Sequence, residues 1–114
     1  MIQEVTVSAD SNPSYYTSPG KPTKDKIFLL SINEARKYFK ADKERACMPT
    51  AYAVSNGVNK DENGNCYWWL RSPGFNQYNA ALVSIDGSIG EYGHGARYVH
   101  NAVRPALWID LNLR

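Results

Sequence analysis

The side chains of this sequence that could act as nucleophiles, bases or metal ligands are two cysteines and two histidines. Cys47 and Cys66 lie far apart without a CxxC pair, and His94 and His100 lie in a glycine-rich segment. Zinc sites need ligands at short, repeated spacings, so even His94, His100 and Asp86 together do not predict a metal site. The GxSxG motif of serine hydrolases is also absent. The sequence therefore predicts no enzyme, no metal and no cofactor.

The pairing of the two cysteines stays open at this point. A disulfide between Cys47 and Cys66 would suit a secreted protein, whereas two buried free thiols would suit any compartment. The sequence favours neither arrangement over the other.

Residues 75–102 differ in chemistry from the rest of the chain. Three of them are charged, while tyrosine, histidine, asparagine and glycine are frequent. Aromatic rings supply contact area at low entropic cost and small polar residues supply adaptable hydrogen bonds, as in antibody loops. An ordinary set of glycine-rich turns would not need so many tyrosines and histidines. We expect a ligand-binding surface here, with contact area from Phe75, Tyr78, Tyr92 and Tyr98 and polar specificity from Asn76, His94, Arg97 and His100.

The first half of the chain predicts elements that would support this surface. Alternation predicts a strand over Ile2–Ala9, and a continuous apolar run predicts a buried strand over Lys26–Ser31. The turn-forming residues between them predict a long exposed loop, Asp10–Asp25. Ser31 and Glu34 have the spacing of a capping box, so we expect a helix of about nine residues to begin there. Its apolar face contains Ile32, Ala35 and Phe39.

The second half predicts mostly strands. A short helical segment should begin near Thr50 and end at Asn56–Gly57. The aromatic weight of Cys66–Leu70 predicts a central strand, and the alternation on both sides of Asp86–Gly87 predicts a hairpin. The apolar run Val103–Leu111 predicts a last strand. The fold class is therefore α+β, with mixed antiparallel strands and one or two short helices.

Two tryptophans and two arginines flank the expected binding surface. Because strand residues alternate, Trp68 and Trp69 should point to opposite faces, and the strand should stop at Pro73–Gly74. At most one of the two tryptophans can therefore point to the interior of a simple sheet, and the other must be covered or must bind something. For a tryptophan in an apolar strand, a core position is favoured over a sugar-stacking platform. Arg71 and Arg104 lie among apolar residues, where an unpaired charge is costly. We expect structural ion pairs or bonds to loop carbonyls for both arginines.

Length and charge exclude several classes of protein. The chain has 114 residues, which suits one domain, 1–114. Its net charge of +2 lacks the electrostatic footprint of a nucleic-acid binder. No apolar run approaches the roughly 20 residues that span a bilayer, and the N-terminus lacks the pattern of a signal peptide. The protein is expected to be cytoplasmic or to be a piece of a longer chain, with no membrane insertion.

Several motifs in order resemble one known family. They are "DKIFLLSINEARKYF", "RACMPTAYA", "NCYWWLRSPG", "AALV" followed by "DGSI", and "AVRPALWIDL". Together they resemble a bacterial domain family of unknown function, common in gut Firmicutes. We associate that family with the C-type-lectin-like fold, in its formylglycine-generating-enzyme-like branch. The resemblance covers nearly the whole chain.

The resemblance has implications for assembly and cofactors. Family members typically have further sequence upstream, so the resemblance implies an N-terminally truncated fold. Such a fold would be completed either by a partner copy, in a homo-oligomer, or by a fragment outside this chain. A cell-surface or secreted location follows if the chain belongs to a longer protein. The calcium motifs of true C-type lectins, EPN and WND, are absent. Cys47 and Cys66 do not match the catalytic cysteine motif of the formylglycine-generating enzymes.

The same fold is used by the variable proteins of diversity-generating retroelements, which diversify a C-terminal segment to make new binding surfaces. By this resemblance the fixed scaffold includes Trp68, Trp69, Arg71, Pro73, Gly74, Arg104, Pro105 and Trp108. The displayed positions are Phe75, Asn76, Tyr78, Leu82, Ser84, Asp86, Ser88, Glu91, Tyr92, His94, Arg97, Tyr98 and His100. Glu91 departs from the pattern, because it does not arise from an Asn codon by adenine changes.

The expected function is therefore non-enzymatic binding of a protein or glycan ligand, as in an adhesin or receptor. Two alternatives stay open. One is an enzyme of the formylglycine-generating type with a redox-active thiol. The other is a structural module of a larger surface protein.

Overall fold

The computed structural model describes residues 1–111; the last three residues of the predicted domain, 112–114, lie outside the described residues. Antiparallel strands form two sheets, and short helices lie between them in the chain. The elements are β1 (Val5–Val7), β2 (Thr23–Asp25), α1 (Ile32–Tyr38), α2 (Asp42–Arg45), α3 (Ala51–Ser55), β3 (Trp68–Pro73), β4 (Asn79–Val83) and β5 (Ile89–Gly95). The predicted α+β class is confirmed, with three helices among the described residues where one or two were expected.

The larger sheet has the order β3-β4-β5 and places β4 in the centre. Trp68 pairs with Val83, and Asn79 pairs with Gly95. The hairpin between β4 and β5 turns at Gly87, which has φ +87°. A side chain at Gly87 would also overlap the Asp42 carbonyl of α2. The predicted Asp86–Gly87 hairpin is therefore confirmed, and α2, which the sequence did not predict, packs against its turn.

The core lies between α1 and the inner face of this sheet. Trp68 and Val83 are fully buried, and they pack with Ile32 and Ala35 of α1. The Trp68 indole Nε1–H donates to the Arg45 carbonyl at 3.0 Å. The core is completed by Leu70 and Ala81.

Helix α1 begins where the sequence predicts. The Ser31 hydroxyl accepts from the Glu34 amide at 3.1 Å, and the Glu34 carboxylate accepts from the Ser31 amide at 3.0 Å. Arg71 of β3 donates to the same carboxylate and to the Leu29 carbonyl at 2.8 Å. It also donates to the Ser8 carbonyl at 3.2 Å. Arg71 thus has the ion pair and the loop-carbonyl bonds expected of it.

Two N-terminal predictions need correction. The segment predicted as a loop over residues 10–25 contains β2, which pairs with β1 in a small antiparallel sheet. The predicted buried strand over residues 26–31 is wrong, because this segment makes a single bridge, Phe28 with Ala106. Its apolar run is only partly covered, and Ile27 is exposed. Helix α3 follows its N-cap Thr50 and ends before Asn56, as predicted.

The predicted C-terminal strand over residues 103–111 is also wrong. Residues Ala102, Ala106 and Ile109 each bridge a different partner segment, so no continuous ladder forms. Trp108 is 47% exposed and contacts the Tyr38 ring edge-on at 6.1 Å. Arg104 lies over the rings of Phe39 and Trp68, each 4.9 Å away. It therefore interacts through aromatic faces rather than through the ion pair or loop-carbonyl bonds expected of it. Among residues 1–111, no helix is long and apolar enough to cross a membrane.

Candidate functional site

The expected binding residues lie on and around β4 and β5, at different depths. Tyr78, Asp86, Tyr92, Arg97 and Tyr98 are exposed. Those that are partly covered are Phe75, Asn76, Ser84, Ser88, Glu91, His94 and His100. The segment therefore presents most of its predicted residues to solvent, but it does not bring all of them together.

Leu82 is the exception, because it is only 3% exposed. It pairs with Trp69 on one side and with Gly90 on the other. A side chain at Gly90 would lie within 2.7 Å of Leu82 Cδ1, so the leucine fills the space that the glycine leaves. Assigning Leu82 to a displayed surface was wrong, since the outer face of the sheet is itself covered at this point.

Ser84, Asp86 and Ser88 form the hairpin turn at one end of β4 and β5. The Asp86 carboxylate accepts from the Ser88 amide at 2.9 Å and from the Ser88 hydroxyl at 2.6 Å. These hydrogen bonds lower the pKa of Asp86. His94 pairs with Ala80 near the other end of the hairpin, so this turn is separated from the aromatic residues. Its polar groups stabilise the turn.

Three aromatic residues form what we call the tyrosine cluster: Tyr15, Phe75 and Tyr92. The Phe75 and Tyr92 rings stack with centroids 4.0 Å apart and an interplanar angle of 13°. Tyr15 contacts both rings edge-on, at 6.4 and 6.0 Å. Tyr92 is 57% exposed, so the stack presents ring surface to solvent. Such geometries are favourable for aromatic pairs and fix the ring orientations.

The tyrosine cluster depends on a loop that sequence reasoning did not assign to the site. Asn12 is fully buried, and its side-chain amide donates to the carbonyls of Pro73 at 3.0 Å and Glu91 at 2.7 Å. Its side-chain oxygen accepts from the Tyr15 amide at 3.0 Å. Thr17 donates to a further carbonyl, that of Gly74. The "NPSYY" stretch, an Asn-Pro turn followed by two tyrosines, is the sequence signal that could have indicated this loop.

Glu91 links this loop to α1. Its carboxylate accepts from the Ser14 hydroxyl and from Arg36 at 3.0 Å. Burial acts to raise the pKa of Glu91, but these two hydrogen bonds and the Arg36 charge outweigh it and lower the pKa. The Glu91 carboxylate was predicted to face a ligand, but it accepts hydrogen bonds from within the protein and so has a structural role.

A second group, which we call the histidine cluster, consists of Tyr67, Trp69, His94, Tyr98 and His100. His94 lies at its centre, with ring centroids 5.1 Å from Tyr67, 6.4 Å from Trp69 and 4.8 Å from Tyr98. Tyr98 in turn contacts His100 at 5.3 Å. Trp69, expected to be scaffold, is thus only partly buried and belongs to this cluster.

The two histidines differ in hydrogen bonding. His94 Nδ1 lies 3.0 Å from the Asn101 side-chain amide nitrogen, which can only donate. His100 Nδ1 lies 2.7 Å from the Gly57 carbonyl, which can only accept. With this orientation of the Asn101 amide, neutral His94 has its proton on Nε2, and neutral His100 has a lone pair there. The cluster offers one ring donor and one ring acceptor on either side of Tyr98.

The cysteines are both free thiols in the structure. They are neighbours, because the Cys66 amide donates to the Cys47 carbonyl at 2.9 Å. Burial raises the pKa of the Cys66 thiol, and the adjacent Cys47 adds to this effect. Within residues 1–111, no group of three or more His, Cys, Asp or Glu side chains could hold a metal ion.

Fold and site together define a small α+β domain with two aromatic clusters exposed beside a three-stranded sheet. The sequence model of DUF6273, a domain of unknown function, matches residues 1–111. The chain belongs to this family. No curated protein and no solved structure matches the chain.

Proposed function

We propose that this protein is a non-enzymatic ligand-binding domain, of adhesin or receptor type, with a C-type-lectin-like fold. Its ligand is a protein or a glycan of another cell or phage. The observation that carries the proposal is the pair of aromatic clusters that flank Gly93 on β5, through Tyr92 on one side and His94 on the other. Aromatic residues concentrate at the energetic centres of binding interfaces.

Hydrogen bonds hold the rings of the tyrosine cluster in fixed positions, and this favours a binding role for them. Asn12 is fully buried and ties the Tyr15 loop to two carbonyls, while Phe75 donates its amide to the Tyr92 carbonyl at 2.9 Å. A side chain that is already ordered loses less entropy on binding, so a fixed stack gives more affinity than mobile rings of equal area. The clusters are therefore suited to recognition by surface complementarity.

The thiol-enzyme alternative receives less support. A catalytic thiol acts as the thiolate, so an activated cysteine needs a lowered pKa and access to solvent. Cys66 is buried and its thiol pKa is raised. For a binding domain, Cys47→Ser and Cys66→Ser should leave ligand affinity unchanged. A thiol-dependent turnover that either substitution abolishes would favour the enzyme instead.

The test of the proposal is a binding screen of the protein against glycan and protein arrays, repeated with three variants. Tyr92→Ala, Tyr98→Ala and His94→Ala should each reduce binding of the captured partner by about tenfold or more, the effect expected of residues at an interface centre. Tyr52→Ala is the matched control, because Tyr52 is 79% exposed on α3 and belongs to neither cluster. Binding that none of the three variants weakens would instead support a structural module without its own ligand.

Retroelement diversification of this surface is a separate part of the proposal. It predicts a reverse transcriptase gene near this gene and a near-copy of the codons for residues 75–102 that differs at adenines. Leu82 is expected to stay constant among copies because it is buried, whereas exposed positions such as Tyr78 and Tyr92 are expected to vary. A cell-surface or secreted location, within a longer chain, is the matching expectation. Sequencing of the neighbouring DNA tests for the reverse transcriptase gene and the near-copy. A neighbourhood without a template repeat contradicts diversification.

A further inference from the structure

A groove crosses the outer face of the large sheet, beside the histidine cluster. One cavity of about 360 Å³ is lined by Arg71, Gln77 and Asn79, with the Ser18–Gly20 loop as one wall. A second cavity of about 240 Å³ is lined by Trp69 and Leu29. Both cavities share Ala80 and Ala96 as lining residues, so they form one continuous groove. This groove lies outside the tyrosine cluster.

Most backbone groups at the floor of the groove are already paired, which disfavours the addition of a peptide strand. Ala80 lies in β4, whose backbone is paired with β3 and β5. The Ala96 amide donates to the Tyr78 carbonyl at 2.8 Å. At the edge strand β5, the Glu91 and Tyr92 carbonyls already accept from Asn12 and Phe75. A peptide that binds by strand addition needs such groups unpaired, so recognition here must come from side chains.

The groove is also electrically neutral. Arg71 is its only charged lining residue within the described part of the chain, and it pairs with Glu34. Its guanidinium donates as well to the Leu29 carbonyl and to the Ser8 carbonyl and hydroxyl. A nucleic acid or an acidic ligand would require unpaired cations. The remaining polar lining consists of two neutral amides, Gln77 and Asn79, and two hydroxyls, Ser18 and the buried Ser72.

We propose that this groove, which shares Trp69 with the histidine cluster, is a further binding site, and that it binds a neutral carbohydrate. One sugar ring would lie against Trp69, whose amphipathic indole is partly exposed and is held edge-on to His94 at 6.4 Å. The small side chains of Ala80 and Ala96 leave room for the ring, and Gln77 and Asn79 provide donors and acceptors for hydroxyl groups. A concave site with an apolar platform and a few polar groups suits a sugar ring, which has both an apolar surface and polar hydroxyl groups.

The experiment uses an array of neutral and acidic oligosaccharides, followed by calorimetry with the neutral oligosaccharide that gives the strongest signal. Trp69→Ala should weaken its affinity at least tenfold, and Gln77→Ala should weaken it about threefold. Tyr52→Ala is the control, because Tyr52 is 79% exposed and lines neither cavity, and it should change the affinity less than twofold. In a ¹H–¹⁵N spectrum the sugar should shift the indole signal of Trp69 and leave that of Trp68 in place. If Trp69→Ala does not fold, Trp69→Phe replaces it, because phenylalanine keeps an aromatic ring at this position.

Each other outcome overturns the groove proposal. If only acidic glycans bind, or if the sugar is lost with Tyr92→Ala and retained with Trp69→Ala, the groove is not the site. If no glycan binds but a protein partner does, the proposed function stands and the groove proposal falls. If neither glycans nor proteins bind, both fall.

Discussion

Trp68 and Trp69 are neighbours in sequence and lie on opposite faces of β3. Trp68 is fully buried against α1, makes a hydrogen bond through its indole N–H, and contacts Phe39 and Arg104. Trp69 is partly exposed, contacts His94 edge-on, and lines a groove. The inner face of the sheet is thus a closed core, and the outer face carries aromatic residues that solvent or a ligand can reach. The same residue type serves stability on one face and is available for recognition on the other.

The largest expected effect comes from truncating each tryptophan and comparing the losses of stability. Trp68→Ala should lower the free energy of unfolding by about 3–5 kcal/mol, since it leaves a large cavity in the core. Trp69→Ala should lower it less, by about 1–2 kcal/mol, because Trp69 is only partly buried. Urea denaturation followed by circular dichroism measures both values. Similar losses for the two variants would mean that the outer face is a second core, and the comparison would fail.

Local patterns made part of this arrangement predictable from the sequence. The capping box of Ser31 and Glu34 involves residues three apart, so its geometry is set by the helix start alone. The hairpin at Asp86–Gly87 and the opposite directions of Trp68 and Trp69 follow from strand alternation and turn chemistry. These are interactions within one element or between adjacent elements.

The features that could not be predicted depend on distant partners. Asn12 is buried because it bonds carbonyls 61 and 79 residues further along the chain, which no local pattern indicates. The apolar run at residues 103–111 has the pattern of a strand, but its two bridges, from Ala106 and Ile109, go to separate segments. Leu82 alternates like an outward residue, yet the outer face is covered where Trp69 and Gly90 flank it. In each case tertiary packing overrides the local pattern.

A second test concerns Arg71, which starts on the outer face and connects β3 to the start of α1. Arg71→Met should lower the free energy of unfolding by about 2–3 kcal/mol, because it leaves the partly buried Glu34 carboxylate and two loop carbonyls without their donor. Arg36→Met is the matched control. Arg36 pairs with Glu91 but is 48% exposed, so its loss should be below about 1 kcal/mol. Equal losses for the two arginines would show that the Arg71 bonds are not part of the core.

A third, smaller effect should appear on acidification. Burial acts to raise the pKa of Glu34, but hydrogen bonds from Arg71 and the Ser31 amide, with the Arg71 charge, outweigh it and lower the pKa. A lowered folded-state pKa gives stability that is fully present above the unfolded pKa of about 4.3 and is lost as the pH falls through the folded value. The melting temperature should therefore drop below about pH 4. In Glu34→Gln this drop should be shallower, and an unchanged pH profile would contradict the assignment.

The smallest expected effect concerns the tyrosine cluster, and it tests whether the exposed rings contribute to the stability of the fold. Tyr92→Ala removes one ring of the Phe75–Tyr92 stack, and such a ring–ring contact contributes about 0.5–1.5 kcal/mol. Because Tyr92 is mostly exposed, its truncation removes little buried surface. We therefore expect a loss of about 1 kcal/mol of unfolding free energy, measured by urea denaturation beside Tyr52→Ala, which should lose less than about 0.5 kcal/mol. Asn12→Ala should cost more than Tyr92→Ala, because it leaves buried carbonyls unpaired beneath the stack. If Tyr92→Ala costs as much as Asn12→Ala, the exposed rings would be needed for the fold itself. If it costs little, stability does not explain why an ordered, exposed aromatic stack is held on this buried support, which is the outcome that the binding proposal predicts.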